Sequence, residues 1–391
     1  MISVNEAKQI IRENATTTRV VEIPLNEAAG YVLAVPVYAP IDTPPFNQSA
    51  MDGYAFSFAK WDKYSDFTIV GEGKAGDDVT FEVKPLEAVR IFTGAVLPKG
   101  ADTVVMQEKI TTQGESIRIH DEQLIKGCNV RPRASQTKKD ETVLPENHYL
   151  SPSSVSFVAG LGIDKVKVYD YPRVSIIVTG NELIKPGQKR TGGEIYESNS
   201  YGLMAALNQI HITPKSVEMV ADDEEKLTEA ISRQLDSDII LLTAGVSVGD
   251  YDFVIPALEK CGVQKLFHKI KQKPGKPLYF GKRQNALVFG LPGNPASALT
   301  CFYEYVTEAI SAFIKRKINR DYILTLAASY TKKPDFNYFL KGKCKGNEVA
   351  ILNHQESYMM NSFALADCLI ELEAGKEYFQ KGEKVKVRMI I

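Results

Sequence analysis

Residues 271–298 read KQKPGKPLYFGKRQNALVFGLPGNPASA, and this stretch combines two proline-stiffened loops with an apolar run. Residues 273–277 place two lysines around a proline and a glycine, and residues 291–295 bring proline and glycine together again. Between these loops, the apolar residues 286–290 predict a buried strand that leads through a tight turn into a helix. Because prolines fix φ and glycines permit positive φ, each loop is held in one shape.

Two lysines on one rigid loop, beside a strand-to-helix turn, predict a binding site for an anion. The alternative is that the prolines and glycines merely end a strand and that both lysines are solvated.

The bulk composition restricts the class of protein. The chain has 391 residues, of which 44% are hydrophobic and 24% charged, and its formal net charge is −1. This length predicts about two to four globular domains, and the near-neutral charge disfavours nucleic-acid binding. We expect no membrane span and no signal peptide. The five cysteines and five histidines are scattered, which favours a cytoplasmic protein that works through carboxylates, lysines and backbone amides.

The amino-terminal part of the chain predicts a helix followed by a β-rich region. Ser3 and Glu6 fit a capping box at the start of that helix. Strand signals dominate residues 67–143 and predict an all-β domain. Residues 71–76 match G-x-G-x-x-G, but a strand-like pattern follows the third glycine, whereas a dinucleotide site requires a helix there. We therefore reject a nucleotide site at this motif.

From residue 173 onward, strands alternate with helices. Apolar runs at residues 174–178, 216–220, 239–243 and 286–290 are separated by helical patterns, one of them expected to be capped by Asp222. This alternation predicts parallel βαβ units with helices on both faces of an open sheet. After residue 318 a period of two returns and predicts a small C-terminal β domain.

Polar loops follow three of these strands, at residues 179–182, 245–252 and 292–295. Ligands of open parallel sheets bind beyond the carboxyl ends of the strands, so we expect the three loops to converge. Ser247 and Asn294 offer hydrogen bonds, and Glu182 and Asp252 could hold a divalent cation. A phosphorylated ligand with bound Mg²⁺ is therefore predicted; the alternative is that each acid only caps local structure.

Seven segments along the chain carry a family resemblance: SAMDGYA at 49–55, FTGA at 92–95, VVMQE at 104–108, TGNEL at 179–183, GVSVGDYD at 245–252, KPGKP at 273–277 and LPGNP at 291–295. Together they resemble the molybdopterin molybdenumtransferase family, which includes MoeA and the gephyrin E-domain. The resemblance implies an elongated, four-domain homodimer. It also implies an enzyme that inserts molybdate into adenylylated molybdopterin, releases AMP and requires Mg²⁺.

The implied domains are a discontinuous mixed domain at residues 1–53 and 139–168, an all-β domain at 54–138, an α/β molybdopterin-binding domain at 169–316 and a barrel-like β domain at 317–391. The resemblance assigns catalytic roles to Asp52, Thr93, Asp140, Glu182 and Asp252, and metal binding to Glu182, Asp222 and Asp252. It assigns ligand binding to Gly245, Ser247, Lys273, Lys276, Pro292, Gly293, Asn294, Pro295, Lys341 and Ser357. Lysine ammonium groups and backbone amides suit molybdate, a dianion, because charge strengthens their hydrogen bonds.

Three positions depart from the family pattern. Ala244 and Asn181 stand where the family usually has glycine and aspartate. Lys341 stands where an arginine is usual, so the charge is kept and the bidentate fork is lost.

Three alternatives to this function stay open at the level of the sequence. They are a non-catalytic scaffold, a related molybdopterin-binding protein such as the adenylylating one, and a transferase specific for tungstate. Other proteins of cofactor biosynthesis are further candidate partners.

Overall fold

The computed structural model describes residues 1–16, 19–78, 82–244 and 253–390. The chain divides into two compact units: unit 1 contains Met1–Val21 and Val168–Ile391, and unit 2 contains Glu22–Lys167. None of the helices within the described ranges has the length and apolar character needed to cross a bilayer.

The described α-helices are α1 (Val4–Asn14), α2 (Pro152–Gly160), α3 (Asn199–Asn208), α4 (Glu224–Arg233), α5 (Val254–Lys260), α6 (Pro295–Cys301), α7 (Thr307–Phe313) and α8 (Met360–Leu365). A π-helical segment, Phe302–Val306, joins α6 to α7. The strands of the first part of the chain are β1 (Val20–Pro24), β2 (Val37–Tyr38), β3 (Gln48–Ser49), β4 (Gly53–Phe56), β5 (Asp66–Gly73), β6 (Glu87–Ile91), β7 (Thr103–Met106), β8 (Ile110–Gln113), β9 (Ser116–Ile119), β10 (Val130–Arg131), β11 (Thr142–Leu144) and β12 (Lys165–Tyr169). The later strands are β13 (Val174–Thr179), β14 (Leu183–Ile184), β15 (Ile195–Tyr196), β16 (Ser216–Val220), β17 (Ile239–Thr243), β18 (Gln264–His268), β19 (Gln272–Lys273), β20 (Tyr279–Arg283), β21 (Ala286–Leu291), β22 (Asp321–Leu326), β23 (Tyr330–Thr331), β24 (Asn337–Lys345), β25 (Glu348–Ile351), β26 (Cys368–Leu372), β27 (Tyr378–Phe379) and β28 (Lys384–Met389).

Unit 2 is built on a six-stranded sheet in the order β7-β4-β6-β5-β9-β8. Its core includes Phe56 and Phe67, whose ring centroids lie 5.0 Å apart in an edge-on contact. The predicted all-β region is thus confirmed. Strand β5 runs to Gly73 and a turn follows, so described residues 71–78 contain no helix that could present amides to a pyrophosphate.

The α/β sheet of unit 1 has the order β16-β13-β17-β21-β20-β18. The four predicted strands β13, β16, β17 and β21 are parallel, as expected. At one edge of the sheet, two further strands that the sequence did not predict, β20 and β18, run antiparallel. The reason is local: Arg283 pairs with Ala286 and leaves a two-residue turn, Gln284 at φ 51° followed by Asn285, which can only return the chain antiparallel.

Both faces of this sheet are covered. Ile176 and Leu241 belong to a core cluster on one face, and the next residues along each strand, Ile177 and Leu242, belong to a cluster on the other. Successive side chains of a strand point to opposite faces, so a strand covered on both sides reads as a continuous apolar run. This is why residues 174–178 and 239–243 were recognisable from the sequence.

The N-cap residues of two helices, α1 and α4, were predicted from the sequence, one correctly and one wrongly. The capping box at α1 is confirmed, with the amide of Glu6 donating to Ser3 Oγ at 3.2 Å. Helix α4 is capped by Asp223, which accepts from the amide of Lys226 at 2.9 Å. The prediction of Asp222 as this cap is wrong, because its carboxylate accepts a hydrogen bond from Thr179 at 2.5 Å.

The C-terminal strands form a closed barrel of β24, β25, β22, β28 and β26, and the ring is completed by pairing between β24 and β26. Strand β19, which leads into the loop at residues 273–277, pairs in parallel with β24. Gln272 pairs with Asn337 and Lys273 with Tyr338. The predicted combination of an α/β domain with a barrel-like β domain is confirmed.

Helix α1 packs in unit 1, although the prediction grouped it with the rest of residues 1–53. Its Lys8 ammonium lies 2.5 Å from Glu304, which also forms an ion pair with Arg388 of the barrel at 3.0 Å. Arg388 in turn pairs with Asp321 at 2.9 Å. These buried charges join α1, the π-helical segment and the barrel. The finer boundaries of the four predicted domains stay a prediction.

The pKa of Asp321 reflects this network. Burial alone raises the pKa of this carboxyl group, but hydrogen bonds and charge from Arg388 and Lys317 outweigh burial and hold the pKa at about 2. A carboxyl group with a depressed pKa stabilises the folded state above its unfolded pKa of about 3.9, and this contribution disappears as the pH falls toward the folded value.

We therefore expect Asp321→Asn to lower the free energy of unfolding by about 2 kcal/mol at neutral pH. The difference from the wild type should shrink as the pH is lowered from 4 to 2. Urea unfolding across this pH range measures it, with Asp335→Asn, an exposed acid of the same unit, as the control. A difference that is independent of pH would contradict the assignment.

Candidate functional site

Unit 1 contains a cavity of about 640 Å³ between the α/β domain and the barrel. Two predicted loops contribute its lining together with strands and turns of the barrel: Gln272, Lys273, Pro274, Gly275, Lys276, Pro277, Pro292, Asn294, Ser297, Tyr330, Phe336, Tyr338, Leu340, Gln355, Glu356, Ser357 and Tyr358. The predicted site residues Lys273, Lys276, Pro292, Asn294 and Ser357 are thus brought together.

The loop at residues 273–277 is held from behind by a buried amide. Gln272 Nε2 donates to the carbonyls of Pro274 at 3.0 Å and Gly275 at 3.2 Å. The hydroxyl of Tyr305, in the π-helical segment, donates to Gln272 Oε1. π-helical turns are frequent at functional sites, and here the turn supplies the group that fixes the orientation of Gln272.

Both lysines of this loop are exposed to the cavity side without a counter-charge. Lys273 Nζ lies 5.5 Å from the centroid of the Tyr338 ring, a distance at which the ring attracts a cation. Within the described residues, neither Lys273 nor Lys276 has a carboxylate oxygen within 4.0 Å. The loop therefore presents two ammonium groups that are available to an anion.

The second loop joins β21 to α6 and carries Asn294 at the N-cap position. Asn294 Nδ2 donates to Ser357 Oγ at 2.9 Å, which ties this loop to a turn of the barrel. Asn199 holds the carbonyl of Gly293 at 2.8 Å. A Cβ on Gly293 would stand 3.3 Å from that of Ala244, which directly follows β17. The β21–α6 loop therefore lies close to the end of β17.

Ala244 has φ 75°. This left-handed conformation carries a steric cost for alanine and none for glycine. Alanine at this position, where the family usually has glycine, therefore strains the backbone.

Lys341 is not part of the lining of the cavity, and its role in direct binding stays a prediction. The side chain is buried, and its ammonium group donates to the carbonyls of His354 at 2.7 Å, Met359 at 3.1 Å and Glu356 at 3.3 Å. An ammonium group has three donors, so all are used. They bind the turn that carries Ser357.

The acids that follow β13 and β16, Glu182 and Asp222, are not part of the lining of the cavity. Asp222 accepts from Thr179, and its amide donates to Asn181 Oδ1 at 3.1 Å. Asn181 thus holds Asp222 from the β13 side, and Glu182, the next residue after Asn181, is exposed. Carboxylate oxygens are ligands that Mg²⁺ prefers, so Asp222 and Glu182 are each of a type that fits such an ion.

Gly245, Ser247 and Asp252, which were predicted to complete the acidic and binding groups, lie outside the described residues. Within the described part of the chain, no group of three His, Cys, Asp or Glu side chains is arranged to hold a metal ion.

Unit 2 places Asp52 and Thr93 in direct contact. Asp52 Oδ1 accepts from the Thr93 amide at 2.7 Å and from Thr93 Oγ1 at 2.8 Å. These two hydrogen bonds, with a smaller effect of the Arg90 charge, lower the pKa of Asp52 below its usual value. Asp140, the second predicted acid of this unit, lies in a different turn at φ 66°, where its amide donates to the carbonyl of Ala39.

Comparison with known proteins places the chain in a family. Residues 2–162 match the MoeA N-terminal region (domain I and II), residues 175–312 a probable molybdopterin binding domain, and residues 324–390 the MoeA C-terminal region (domain IV). A molybdopterin molybdenumtransferase of Haemophilus influenzae is 33% identical over 398 residues, covering 99% of this chain and 98% of the relative. The chain belongs to the MoeA family.

Other members agree with this assignment. A molybdopterin molybdenumtransferase of Nostoc sp. is 38% identical over 293 residues, which cover 72% of this chain and 67% of the relative. The crystal structure of a molybdopterin biosynthesis MoeA protein from Pyrococcus horikoshii superposes with a TM-score of 0.87 at 26% identity, covering 100% of this chain and 99% of that chain.

The sequence did not reveal the aromatic side of the cavity in this member of the MoeA family. Tyr330, Phe336, Tyr338 and Tyr358 line it, but they lie in or beside period-two strands, where aromatic residues are ordinary. Gln272 was missed for a similar reason, since a single glutamine before a proline-rich loop has no distinctive pattern. Only the pairing of β19 with β24 shows that these residues share one cavity.

Gly275 packs closely against Cys301 and Gln272. This packing allows a test of how rigid the lysine loop at residues 273–277 is. Gly275 has φ 85°, and an added Cβ would stand 2.6 Å from Cys301 Sγ and 2.8 Å from Gln272 Nε2. Gly382 has nearly the same φ, 86°, with nothing within 4 Å of an added Cβ.

Gly382→Ala should cost about 1 kcal/mol of unfolding free energy, from backbone strain alone. Gly275→Ala should cost about 1–3 kcal/mol more, because it also crowds buried atoms. Urea unfolding of both variants separates the two effects, and equal losses would contradict a tightly supported loop.

Proposed function

We propose that this MoeA-family protein is a molybdopterin molybdenumtransferase, which inserts molybdate into adenylylated molybdopterin, releases AMP and forms the molybdenum cofactor. The observation that carries the proposal is the pair Lys273 and Lys276, which faces a cavity of about 640 Å³ without any carboxylate partner among the described residues. The relatives from Haemophilus influenzae and Nostoc sp., both molybdopterin molybdenumtransferases, support the same activity.

Molybdate binding is assigned to the lysine loop and to the turn opposite. Molybdate carries two negative charges, and ammonium groups bind it through charge-assisted hydrogen bonds. Ser357 adds a hydroxyl donor whose position is fixed by Asn294 and, through the carbonyls on either side, by Lys341. Lys341 is thus a positioning residue, because it acts through the turn rather than on the anion.

The aromatic side of the cavity suits the organic part of the substrate. Tyr330, Tyr338 and Tyr358 present ring surfaces beside the Pro292 loop. Planar heterocycles gain affinity from such surfaces, and the two lysines beside them suit attached phosphate groups. The cavity therefore fits a ligand that is flat at one end and anionic at the other.

The acids are proposed to act on the phosphate linkage. Asp52 has a lowered pKa, so it is a carboxylate at neutral pH and acts by charge and by accepting hydrogen bonds. Glu182 and Asp222, with Asp252, would hold Mg²⁺, which when bound neutralises charge on phosphate oxygens. Asp140 keeps its proposed catalytic role as a further acid of unit 2.

Several finer points are also part of the proposal. A homodimer, a cytoplasmic location and contacts with other proteins of cofactor biosynthesis rest on the family resemblance. Molybdate is proposed over tungstate on the same basis, since charge and size barely distinguish the two ions.

The decisive experiment follows AMP release from adenylylated molybdopterin by the purified protein in the presence of Mg²⁺. Molybdate should start AMP release and produce active cofactor, whereas sulfate, another tetrahedral dianion, should not. A chelator should abolish the release. Absence of molybdate-dependent AMP release from folded protein would overturn the transferase assignment and favour a scaffold.

Asp52→Asn tests the catalytic carboxylate. The amide oxygen can still accept from Thr93, so the turn should stay intact while the charge is lost. We expect the rate of AMP release to fall about 100-fold or more, as is typical when an electrostatic contact to a transition state is removed.

The matched control is Asp62→Asn. Asp62 is also an exposed carboxylate of unit 2 that accepts a backbone amide, that of Tyr64 at 2.8 Å. If both variants release AMP at the wild-type rate, Asp52 is not catalytic.

A further inference from the structure

Lys332 is a buried lysine that no described carboxylate contacts. Its side chain is 4% exposed, and its ammonium group donates to the carbonyls of Phe336 at 2.9 Å and Lys333 at 3.3 Å. Throughout the described ranges, no carboxylate oxygen comes within 4.0 Å of it. Burial lowers the pKa of Lys332, and the more distant charge of Asp335 opposes this effect.

Two other buried cations of unit 1 are paired with an acid, whereas a third, Lys341, fills all three donors with carbonyls. Lys8 and Arg388 are buried to a similar degree, but both pair directly with the buried Glu304. Buried charges are costly unless they are paired. The unpaired charge of Lys332 therefore needs a separate explanation.

The position of Lys332 provides one. Its Nζ lies 5.3 Å from the centroid of the Tyr338 ring and 5.7 Å from that of Phe379. Tyr338 lines the cavity, and the Lys273 ammonium lies 5.5 Å from the same ring. One aromatic ring of the cavity wall thus contacts both the exposed lysine of the loop and the buried lysine of the barrel.

We propose that Lys332 is a specificity-determining residue that makes the cavity select a dianion over a monoanion of the same shape. Its charge stays uncompensated in the protein alone and is balanced when the anionic substrate enters. Because the energy between two charges is proportional to their product, the benefit is twice as large for a dianion as for a monoanion. The inference rests on the proposed function, since it concerns the anion of the same cavity.

The test compares two tetrahedral anions of similar size, molybdate with two charges and perrhenate with one. Binding of each to the full-length protein is measured by calorimetry. Lys332→Met should raise the Kd for molybdate on the order of threefold to tenfold and that for perrhenate by less. The preference for molybdate over perrhenate should therefore fall. Lys332→Arg keeps the charge and should keep the preference.

Two further variants make the comparison specific. Lys345→Met removes the same charge from an exposed position of β24 and should leave the preference unchanged. Lys332→Gln keeps a donor for the carbonyl of Phe336 and gives a second neutral variant if methionine prevents folding. Unfolding midpoints of all variants are measured alongside.

The outcomes separate this inference from the proposed function. If the wild type binds molybdate and the neutral Lys332 variants retain its preference, Lys332 is only structural and the inference is overturned. Equal weakening for both anions overturns it as well. If the wild type binds neither anion, the oxyanion site fails, and the proposed function fails with it.

Discussion

The pairing of β19 with β24 is the interaction on which the cavity depends. Only two residues of β19 take part, Gln272 beside Asn337 and Lys273 beside Tyr338, yet the strand belongs to the connection between β18 and β20 of the α/β sheet. Hydrogen bonding to the barrel fixes where the lysine loop begins. The same register places Lys273 against an aromatic ring that comes from another domain. A shift by one residue would reverse which side chains face the cavity, because successive side chains of a strand alternate.

Buried polar residues then hold each loop from behind. Gln272 binds the carbonyls of the lysine loop, and Lys341 binds three carbonyls of the turn that bears Ser357. A partly satisfied buried polar group is costly, whereas a fully satisfied one fixes a single arrangement. Groups that bind an oxyanion are most effective when they need no reorganisation. The supporting residues are therefore as necessary to the site as the lysines that face it.

The sequence was informative wherever one residue type and one spacing determine the local structure. Strands of the α/β sheet were recognisable because burial on both faces produces continuous apolar runs, and the Ser3 cap because its partner is three residues away. Long-range choices were not recognisable. Asp222 and Asp223 are equally good caps by composition, and only the hydrogen bond from Thr179 decides between them. The family resemblance implies an anion ligand at Lys341, whereas the three carbonyls that use its donors have no signal in the sequence.

The buried lysines of this chain differ in the groups that their ammonium groups contact. Those contacts, rather than burial or residue type, decide whether the charge of the lysine is neutralised within the protein. Lys8 is buried and neutralised by Glu304, so its contribution is complete in the folded protein. Lys341 is buried and satisfied by carbonyls, which accept its hydrogen bonds without cancelling its charge. Lys332 combines carbonyls with ring faces, which also leave the charge in place. The barrel therefore contains two buried ammonium groups that no carboxylate within 4.0 Å neutralises among the described residues.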